Sequence, residues 1–122
     1  MANVHDVARD FTFMLRQGQF VAAHERFWAA DVRSIEPHDL PDGIAAIVSG
    51  IEAARAKTAR WLGSRHIRDL CIDGPFVTGN QFALFLDMMI VGQPGGADQP
   101  FTEIAIFTVH NGQISEERYF YD

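Results

Sequence analysis

The last third of the chain constrains the fold more than any other stretch. Three segments there have the composition of long strands, residues Gln81–Val91, Phe101–His110 and Gln113–Asp122, each ten or eleven residues long. Asn111-Gly112, between the last two, is a strong signal for a tight hairpin, whereas the connection over 92–100 is loose and glycine-rich. Long antiparallel strands in a small protein need helices to cover one face, and the earlier residues must supply them.

Two helices are predicted at the start of the chain. Asn3 is placed to cap the first, whose apolar residues recur at helical spacing up to Leu15, and Gly18 is placed to end it in a left-handed conformation. The second starts at Phe20, and its apolar face is predicted to include Trp28.

A third helix is predicted from the capping-box spacing of Ser49 and Glu52. It extends to about Leu62, and five of its side chains are predicted to face the core: Ile51, Ala54, Thr58, Trp61 and Leu62. Its basic residues are predicted to face solvent, namely Arg55, Lys57 and Arg60.

The remaining strands complete the order of elements. Residues Asp31–Glu36 alternate and are stopped by Pro37. A longer strand over His66–Val77 contains Gly74-Pro75, which indicates a bulge in a curved sheet. The predicted fold is therefore a single α+β domain over 1–122, in the order helix, helix, short strand, helix and four long antiparallel strands.

Composition narrows the partners and the compartment. The net charge is −6 and no basic run occurs, which argues against nucleic acid and anionic membranes. No stretch approaches the ~20 apolar residues of a membrane helix, and an N-terminus carrying Asp6 does not resemble a signal peptide. Cys71 is the one cysteine, and the five histidines show no metal-ligand spacing. We expect a cytoplasmic protein without a metal.

Three phrases resemble a known family. FWAADVRSIEP (27–37), SGIEAARAK (49–57) and EIAIFTVHNGQISEERYFYD (103–122) are similar to the SnoaL-like and ketosteroid-isomerase-like branch of the nuclear transport factor 2-like superfamily. The resemblance implies a cone, in which a curved sheet wraps around the helices and leaves a pocket at its open end. It also implies a homodimer through the outer sheet face. The superfamily includes isomerases, cyclases, dehydratases, epoxide hydrolases and proteins without catalysis, so the fold alone does not define an activity.

Glu36 is the first candidate for catalysis. It lies immediately before Pro37, where the resemblance places the general base of ketosteroid isomerases. A carboxylate at the mouth of an apolar cone would have its pKa raised by desolvation, which suits proton abstraction. The alternative is an exposed acid at a strand end. The two hydrogen-bond donors of those isomerases correspond by position to Phe11 and Ala105, neither of which can donate. This departure argues against steroid isomerisation.

Side-chain alternation predicts further pocket residues. If Ala105 faces the pocket, Glu103 and Phe107 do too; the matching sets are Phe85, Asp87 and Met89 on the preceding strand and Glu117, Tyr119 and Tyr121 on the last. Glu36, Asp87 and Glu103 then form the catalytic set. A one-residue bulge would exchange the faces. Asp87 and Glu103 would instead pair with Arg68 or Arg118 if they lay on the outer face.

The predicted substrate-binding set contains mostly aromatic residues: Phe11, Trp28, His38, Trp61, Phe85, Phe107, Tyr119 and Tyr121. Trp28 and Trp61 are core residues in the simpler interpretation and pocket walls in the functional one. His38 follows Pro37 and is either a second acid/base group, a contact at the pocket mouth or a solvated loop residue.

Three interpretations of function follow from this set. The first is a cofactor-independent enzyme that transfers protons on a hydrophobic small molecule, with Glu36 as base. The second is a non-catalytic module that binds a metabolite in the same pocket. The third is a structural dimer whose cone is filled by its own side chains.

Overall fold

The computed structural model describes residues 2–63, 65–91 and 96–122, and this part of the chain forms three α-helices and six strands. The helices are α1 (Val4–Arg16), α2 (Phe20–Phe27) and α3 (Ile51–Gly63). The strands are β1 (Trp28–Ile35), β2 (Ile47–Ser49), β3 (His66–Thr78), β4 (Gln81–Val91), β5 (Gln99–His110) and β6 (Gln113–Phe120), with a 3-10 turn at Pro41–Gly43.

The strands form one curved, unclosed sheet in the order β2-β1-β6-β5-β4-β3. Neighbouring strands are antiparallel, except that β1 and β6 pair in parallel. The predicted α+β fold with a sheet wrapped around three helices is confirmed. The sequence prediction lacked β2 and the parallel β1–β6 pair, because that pair joins segments some 80 residues apart and leaves no local signal.

The first helix begins and ends as predicted. Asn3 Oδ1 accepts a hydrogen bond from the Asp6 amide at 2.9 Å, and Gly18 has a φ of +77°. Trp28, predicted on α2, is instead the first residue of β1. Its ψ of 133° is extended, so the helix cannot include it.

The start of α3 differs from the prediction. The helix begins at Ile51, directly after Ser49 closes β2 and Gly50 turns the chain with a φ of +92°. The Glu52 carboxylate accepts a hydrogen bond from Arg55 at 2.6 Å instead of completing a capping box. Strand pairing of Ser49 with Arg33 therefore takes precedence over the local capping signal.

The predicted bend in β3 is present. Pairing with β4 is irregular between Asp73 and Phe76, and the Gly74-Pro75 peptide is cis. Gly74 has a φ of +121°, and a Cβ there would lie 2.9 Å from the Ala83 carbonyl oxygen, so only glycine fits. Arg16, at the end of α1, donates to the carbonyls of Ile72 and Gly74 and holds the bend against the helices.

The predicted register of β4 is wrong by one residue. Ala105 lies opposite Leu84, so the inward set of β4 consists of Phe82, Leu84, Leu86 and Met88. Phe85 and Asp87 are exposed on the other face. The connection between β4 and β5 is too long to set a register, and four of its residues, 92–95, lie outside the described residues. The register is set instead by burial, because Phe82, Leu84, Leu86 and Met88 form a more apolar face than the alternate residues of β4.

The core between the helices and the sheet is built on three phenylalanines. Phe82 and Phe107 stack with ring centroids 4.9 Å apart, and Phe11 contacts Phe107 edge to face at 4.9 Å. All three are at most 1% exposed. Within the described residues, none of the helices has the length and apolar character that crossing a membrane requires.

Candidate functional site

A cavity of about 90 Å³ lies between the inner face of the sheet and the helices, next to this core. Most of its lining is apolar, with Leu15 and Phe20 from the first two helices, Trp61 and Leu62 from α3, and Leu86, Met88, Ala105 and Phe107 from the sheet. The ionisable groups that line it are His24, Glu36, Lys57, Glu103, Glu117 and Tyr119. Their proximity follows from the sheet order, since β4, β5, β6 and β1 are consecutive neighbours.

Glu36 is held at the edge of this cavity by three polar contacts. Its amide donates to the Ala46 carbonyl at 2.8 Å, which fixes the backbone directly after β1. Lys57 Nζ donates to Oε2 at 2.9 Å, and the Tyr121 hydroxyl donates to Oε1 at 2.8 Å. Glu36 is 7% exposed, so the interpretation of an exposed strand-end acid is wrong.

Lys57 is the main residue that the sequence prediction placed incorrectly. It was predicted to face solvent, but it is 6% exposed and forms a buried ion pair with Glu36. A signal for this was present, because Lys57 is three residues after Ala54 and four before Trp61, on the inward stripe of α3. Its charge suggested an outward position, but the ion pair with Glu36 and the hydrogen bond to Ser34 offset the cost of burying it.

Glu117 is a second buried carboxylate, only 1% exposed. It accepts hydrogen bonds from Trp28 Nε1 at 2.8 Å and from Ser34 Oγ at 2.7 Å. Ser34 in turn accepts a hydrogen bond from Lys57 Nζ at 2.6 Å. A continuous polar network therefore connects Glu36, through Lys57 and Ser34, to Glu117 and Trp28.

His24 lies at the far end of this network. Its Nδ1 donates to the Phe20 carbonyl at 2.7 Å, and its Nε2 is 3.5 Å from a Glu117 oxygen. The sequence analysis placed Glu117 inward but did not identify its partners His24 and Ser34. No motif marks these two residues, because they reach Glu117 only through the parallel β1–β6 pairing and the packing of α2.

Glu103 lines the same cavity from β5, as the alternation predicted. Burial, and then the negative charges of Glu36 and Glu117, raise the pKa of the Glu103 carboxyl to about 8, while Lys57 acts in the opposite direction. Among the described residues, none makes a hydrogen bond to this carboxyl. The alternative, in which Glu103 lies on the outer face and pairs with an arginine, is wrong: Arg68 pairs with Asp69 and Asp98, and Arg118 with Glu116.

Both predicted tyrosines are at the site. Tyr119 lines the cavity, and its ring lies 5.4 Å from Lys57 Nζ. Burial, followed by the negative charges of Glu117, Glu103 and Glu36, raises the pKa of its phenol. Burial and the hydrogen bond to Glu36 likewise raise the pKa of Tyr121. Both phenols are therefore hydrogen-bond donors at neutral pH.

Four predicted site residues lie elsewhere. Asp87 and Phe85 point away from the cavity because of the register of β4. Phe11 is fully buried in the core beneath Phe107, and Trp28 is buried behind Glu117, so neither lines the cavity. His38 is exposed, with its ring 5.5 Å from that of Tyr121 at the cavity mouth.

The acidic residues of the cavity do not form a metal centre by themselves. In the part of the chain that the structure describes, no three His, Cys, Asp or Glu side chains are grouped as ligands of one ion. The oxygens of Glu36 and Glu117 are instead hydrogen-bonded within the network.

Comparisons with known proteins agree with this architecture. Residues 2–121 match the sequence profile of the SnoaL-like domain. A comparison with curated proteins returns no match. A crystal structure from Mesorhizobium loti, provisionally described as a SnoaL-like polyketide cyclase, is 33% identical and superposes with a TM-score of 0.89, covering 98% of this chain and 100% of the other.

Two more distant structures share the fold. A protein from Jannaschia, also provisionally described as a SnoaL-like polyketide cyclase, is 20% identical with a TM-score of 0.76, and the match covers 100% of this chain and 90% of that one. A nuclear transport factor 2-like protein of unknown function from Burkholderia pseudomallei is 17% identical with a TM-score of 0.73, covering 100% and 92%.

Proposed function

The chain belongs to the SnoaL-like domain family, and on this basis we propose that it is a small enzyme that transfers protons on an apolar metabolite without a cofactor. Glu36 is the general base and Glu103 the general acid. The observation that carries the proposal is that two of the three carboxyl groups in one apolar cavity, those of Glu36 and Glu103, have different environments. Glu36 is held by two donors, whereas Glu103 has no hydrogen-bond partner among the described residues.

The two environments suit opposite roles. Both oxygens of Glu36 act as acceptors toward Lys57 and Tyr121, which is the form a base requires. Glu103, with its pKa raised to about 8 by burial, carries a proton at neutral pH and can donate it. When the environments of two titratable groups favour different protonation states, one group can be assigned as the acid and the other as the base.

A proton transfer at a carbon next to a carbonyl group illustrates the chemistry. Glu36 removes the proton from carbon while the Glu103 O–H donates to the carbonyl oxygen, which gives the neutral enol. Return of the first proton from Glu36 to carbon, with return of the second to Glu103, completes the cycle. Atoms and charges balance without another reactant.

The test begins with a thermal-shift screen of small carbonyl compounds. Hits are then incubated in deuterated water, and NMR follows the exchange of their carbon-bound protons. We expect Glu36→Gln to retain binding and to lose exchange by at least a hundredfold, in line with typical acid–base contributions of about 10² to 10⁴. Asp87→Asn is the matched control, because it makes the same change on the outer face. Equal exchange by wild type and Glu36→Gln would remove the proposal.

A non-catalytic binding module is the second candidate, and one observation favours it. Both Glu36 oxygens already accept hydrogen bonds, one from Lys57 and one from Tyr121, so a ligand proton would have to displace one of these donors. This candidate predicts the same binding hits with no exchange above that of buffer. The cavity itself weighs against the third interpretation, of a filled cone, since about 90 Å³ remains open beside the core.

We also propose a homodimer through the outer sheet face. Phe85 pairs with Ile104, and Ile104 with Phe120, so the three side chains form a row across β4, β5 and β6. Their exposures of 37%, 46% and 44% leave an apolar row that association would cover. Ile104→Lys should convert a dimer to a monomer in light scattering, and a monomeric wild type at micromolar concentration would contradict the proposal.

The remaining expectations about partners and place stay predictions. They are a cytoplasmic location and the absence of nucleic acid as a partner, both of which rest on composition and charge. Fractionation of cells that express a tagged chain would test the first.

A further inference from the structure

Trp61 lies between two neighbouring cavities. It lines the inner cavity of about 90 Å³, which contains Glu36 and Glu103. It also lines an outer cavity of about 250 Å³, together with His38, Phe101 and Tyr121. Within the lining of these two cavities, Trp61 is the residue they share, so its indole forms part of the wall between them.

Other aromatic rings continue this wall. The Trp61 ring lies 6.2 Å from that of Phe101, which lies 5.2 Å from that of Tyr121, which lies 5.5 Å from that of His38. The hydrogen bond from Tyr121 to Glu36 attaches the row to the polar network of the inner cavity. These contacts hold the rings of Phe101 and Tyr121 beside that of Trp61.

The inner cavity is too small for a polycyclic ligand. An engineered apolar cavity of about 150 Å³ holds benzene, and about 90 Å³ is less than that. The inner cavity also shares Phe20, Leu62 and Ile67 with a third cavity of about 500 Å³, on the side away from Tyr121. A fused polycyclic molecule that enters past His38 and Tyr121 fits only if the inner and outer cavities are joined. The side chain that separates them thus limits the size of what can reach Glu36 and Glu103.

The charges of the inner cavity further restrict the ligand. Three carboxyl groups line this cavity together with the Lys57 ammonium and the His24 ring, whose Nε2 lies 3.5 Å from a Glu117 oxygen. The Lys57 ammonium donates to Ser34 and to Glu36, and its Nζ lies 5.4 Å from the Tyr119 ring. An anionic ligand would therefore meet carboxylates without gaining a cationic partner.

We propose that Trp61 is the residue that sets the size limit of the site, so that its substrates are small molecules, with a single small ring or a short chain, that carry no negative charge. This inference rests on the proposed function for the identity of the site. It is specific to this chain, since it depends on the position of one side chain rather than on the fold.

The experiment compares wild type with Trp61→Ala against a series of ketones of one, two and three fused rings: cyclopentanone, 1-indanone and anthrone. Cyclopentanecarboxylate serves as the anionic probe. Binding is measured from the amide shifts of Glu103 and Ala105, which report the inner cavity only. We expect wild type to bind cyclopentanone at least tenfold more tightly than anthrone. Trp61→Ala should reverse this order, and the carboxylate should not bind either protein.

Two controls separate the size limit from general damage. Trp61→Phe keeps a ring in the wall and should retain the preference for cyclopentanone. Phe76→Ala removes an aromatic side chain that is 62% exposed and distant from the cavity, and should change nothing. If Trp61→Ala does not fold, Trp61→Leu takes its place. Its preference for cyclopentanone over anthrone should be weaker than that of wild type.

The outcomes discriminate between this inference and the proposed function. Equal binding of one-ring and three-ring ketones by wild type, or an unchanged order in Trp61→Ala, overturns the size limit even if proton exchange occurs. A size limit without exchange supports the role of Trp61 and overturns catalysis. Binding of the carboxylate at the inner amides would overturn the charge restriction.

Discussion

Replacing Lys57 by methionine provides the most direct test of the buried network. Methionine has a similar length and no charge, so the variant removes one partner of the Lys57–Glu36 pair and leaves the other. Both residues are buried, with exposures of 6% and 7%. Lys57 Nζ also supplies the 2.6 Å hydrogen bond to Ser34. Breaking a buried pair from one side costs about 3–5 kcal/mol, because the remaining charge is left without compensation.

A second ion pair on the same helix shows which effect dominates. Arg55, two residues before Lys57, donates to both oxygens of Glu25 at 2.6 and 2.8 Å, a better geometry than that of Lys57. It is 43% exposed, however, and ion pairs that water reaches contribute little to stability. If burial rather than geometry sets the cost, Lys57→Met is far more destabilising than Arg55→Met.

The assay is urea denaturation at pH 7 with thermal unfolding as a check. A loss of about 3–5 kcal/mol corresponds to a decrease in Tm of roughly 10–25 °C for a domain of this size. Glu36→Met combined with Lys57→Met should recover most of the loss, since replacing both partners of a buried pair with apolar groups is often close to neutral. A Lys57→Met variant within about 1 kcal/mol of wild type would refute the reasoning.

Two further predictions concern the other carboxylates. The pKa of Glu103 is raised to about 8 in the folded protein from an ordinary value of 4.5, so the folded state holds a proton that the unfolded state releases. Stability should therefore decrease between about pH 4.5 and pH 8, by at most about 1.4 kcal/mol per pH unit. Glu103→Gln should remove this slope in denaturant titrations. An identical slope in the variant would show that Glu103 is not the group responsible. Trp28→Phe should lower the free energy of unfolding by about 1.5–3 kcal/mol, the usual range for a hydrogen bond to a charged group. The reason is that the buried Glu117 carboxylate loses its indole donor at 2.8 Å. Phe13→Leu, at a 61% exposed site, is the control, and an equal cost in both variants would show that this hydrogen bond does not contribute.

The features that the sequence alone determined are those encoded over a few residues. Asn3 and Gly18 delimit α1, Gly74-Pro75 bends β3 and Asn111-Gly112 joins β5 to β6, all as predicted. Asn3 acts through a hydrogen bond to an amide three residues away, and the others act through the backbone preferences of the residues themselves; the rest of the fold leaves both intact. Alternation also predicted Glu103, Phe107, Glu117 and Tyr119 on the inner face, but the turn alone does not set this register. A β-bulge between Thr108 and Val109 shifts the pairing by one residue, so that Phe107 lies opposite Glu117.

Only the tertiary structure decided the polar network. The long connection after β4 permits either register, so Asp87 was predicted inside and lies outside. Lys57 follows the inward stripe of its helix, but a lysine is buried only where its charge finds a partner. Its partners Glu36 and Ser34 lie there because distant strands pair. The free energy of a buried charge depends on all its neighbours at once, and those neighbours are brought together by the sheet, not by the local sequence.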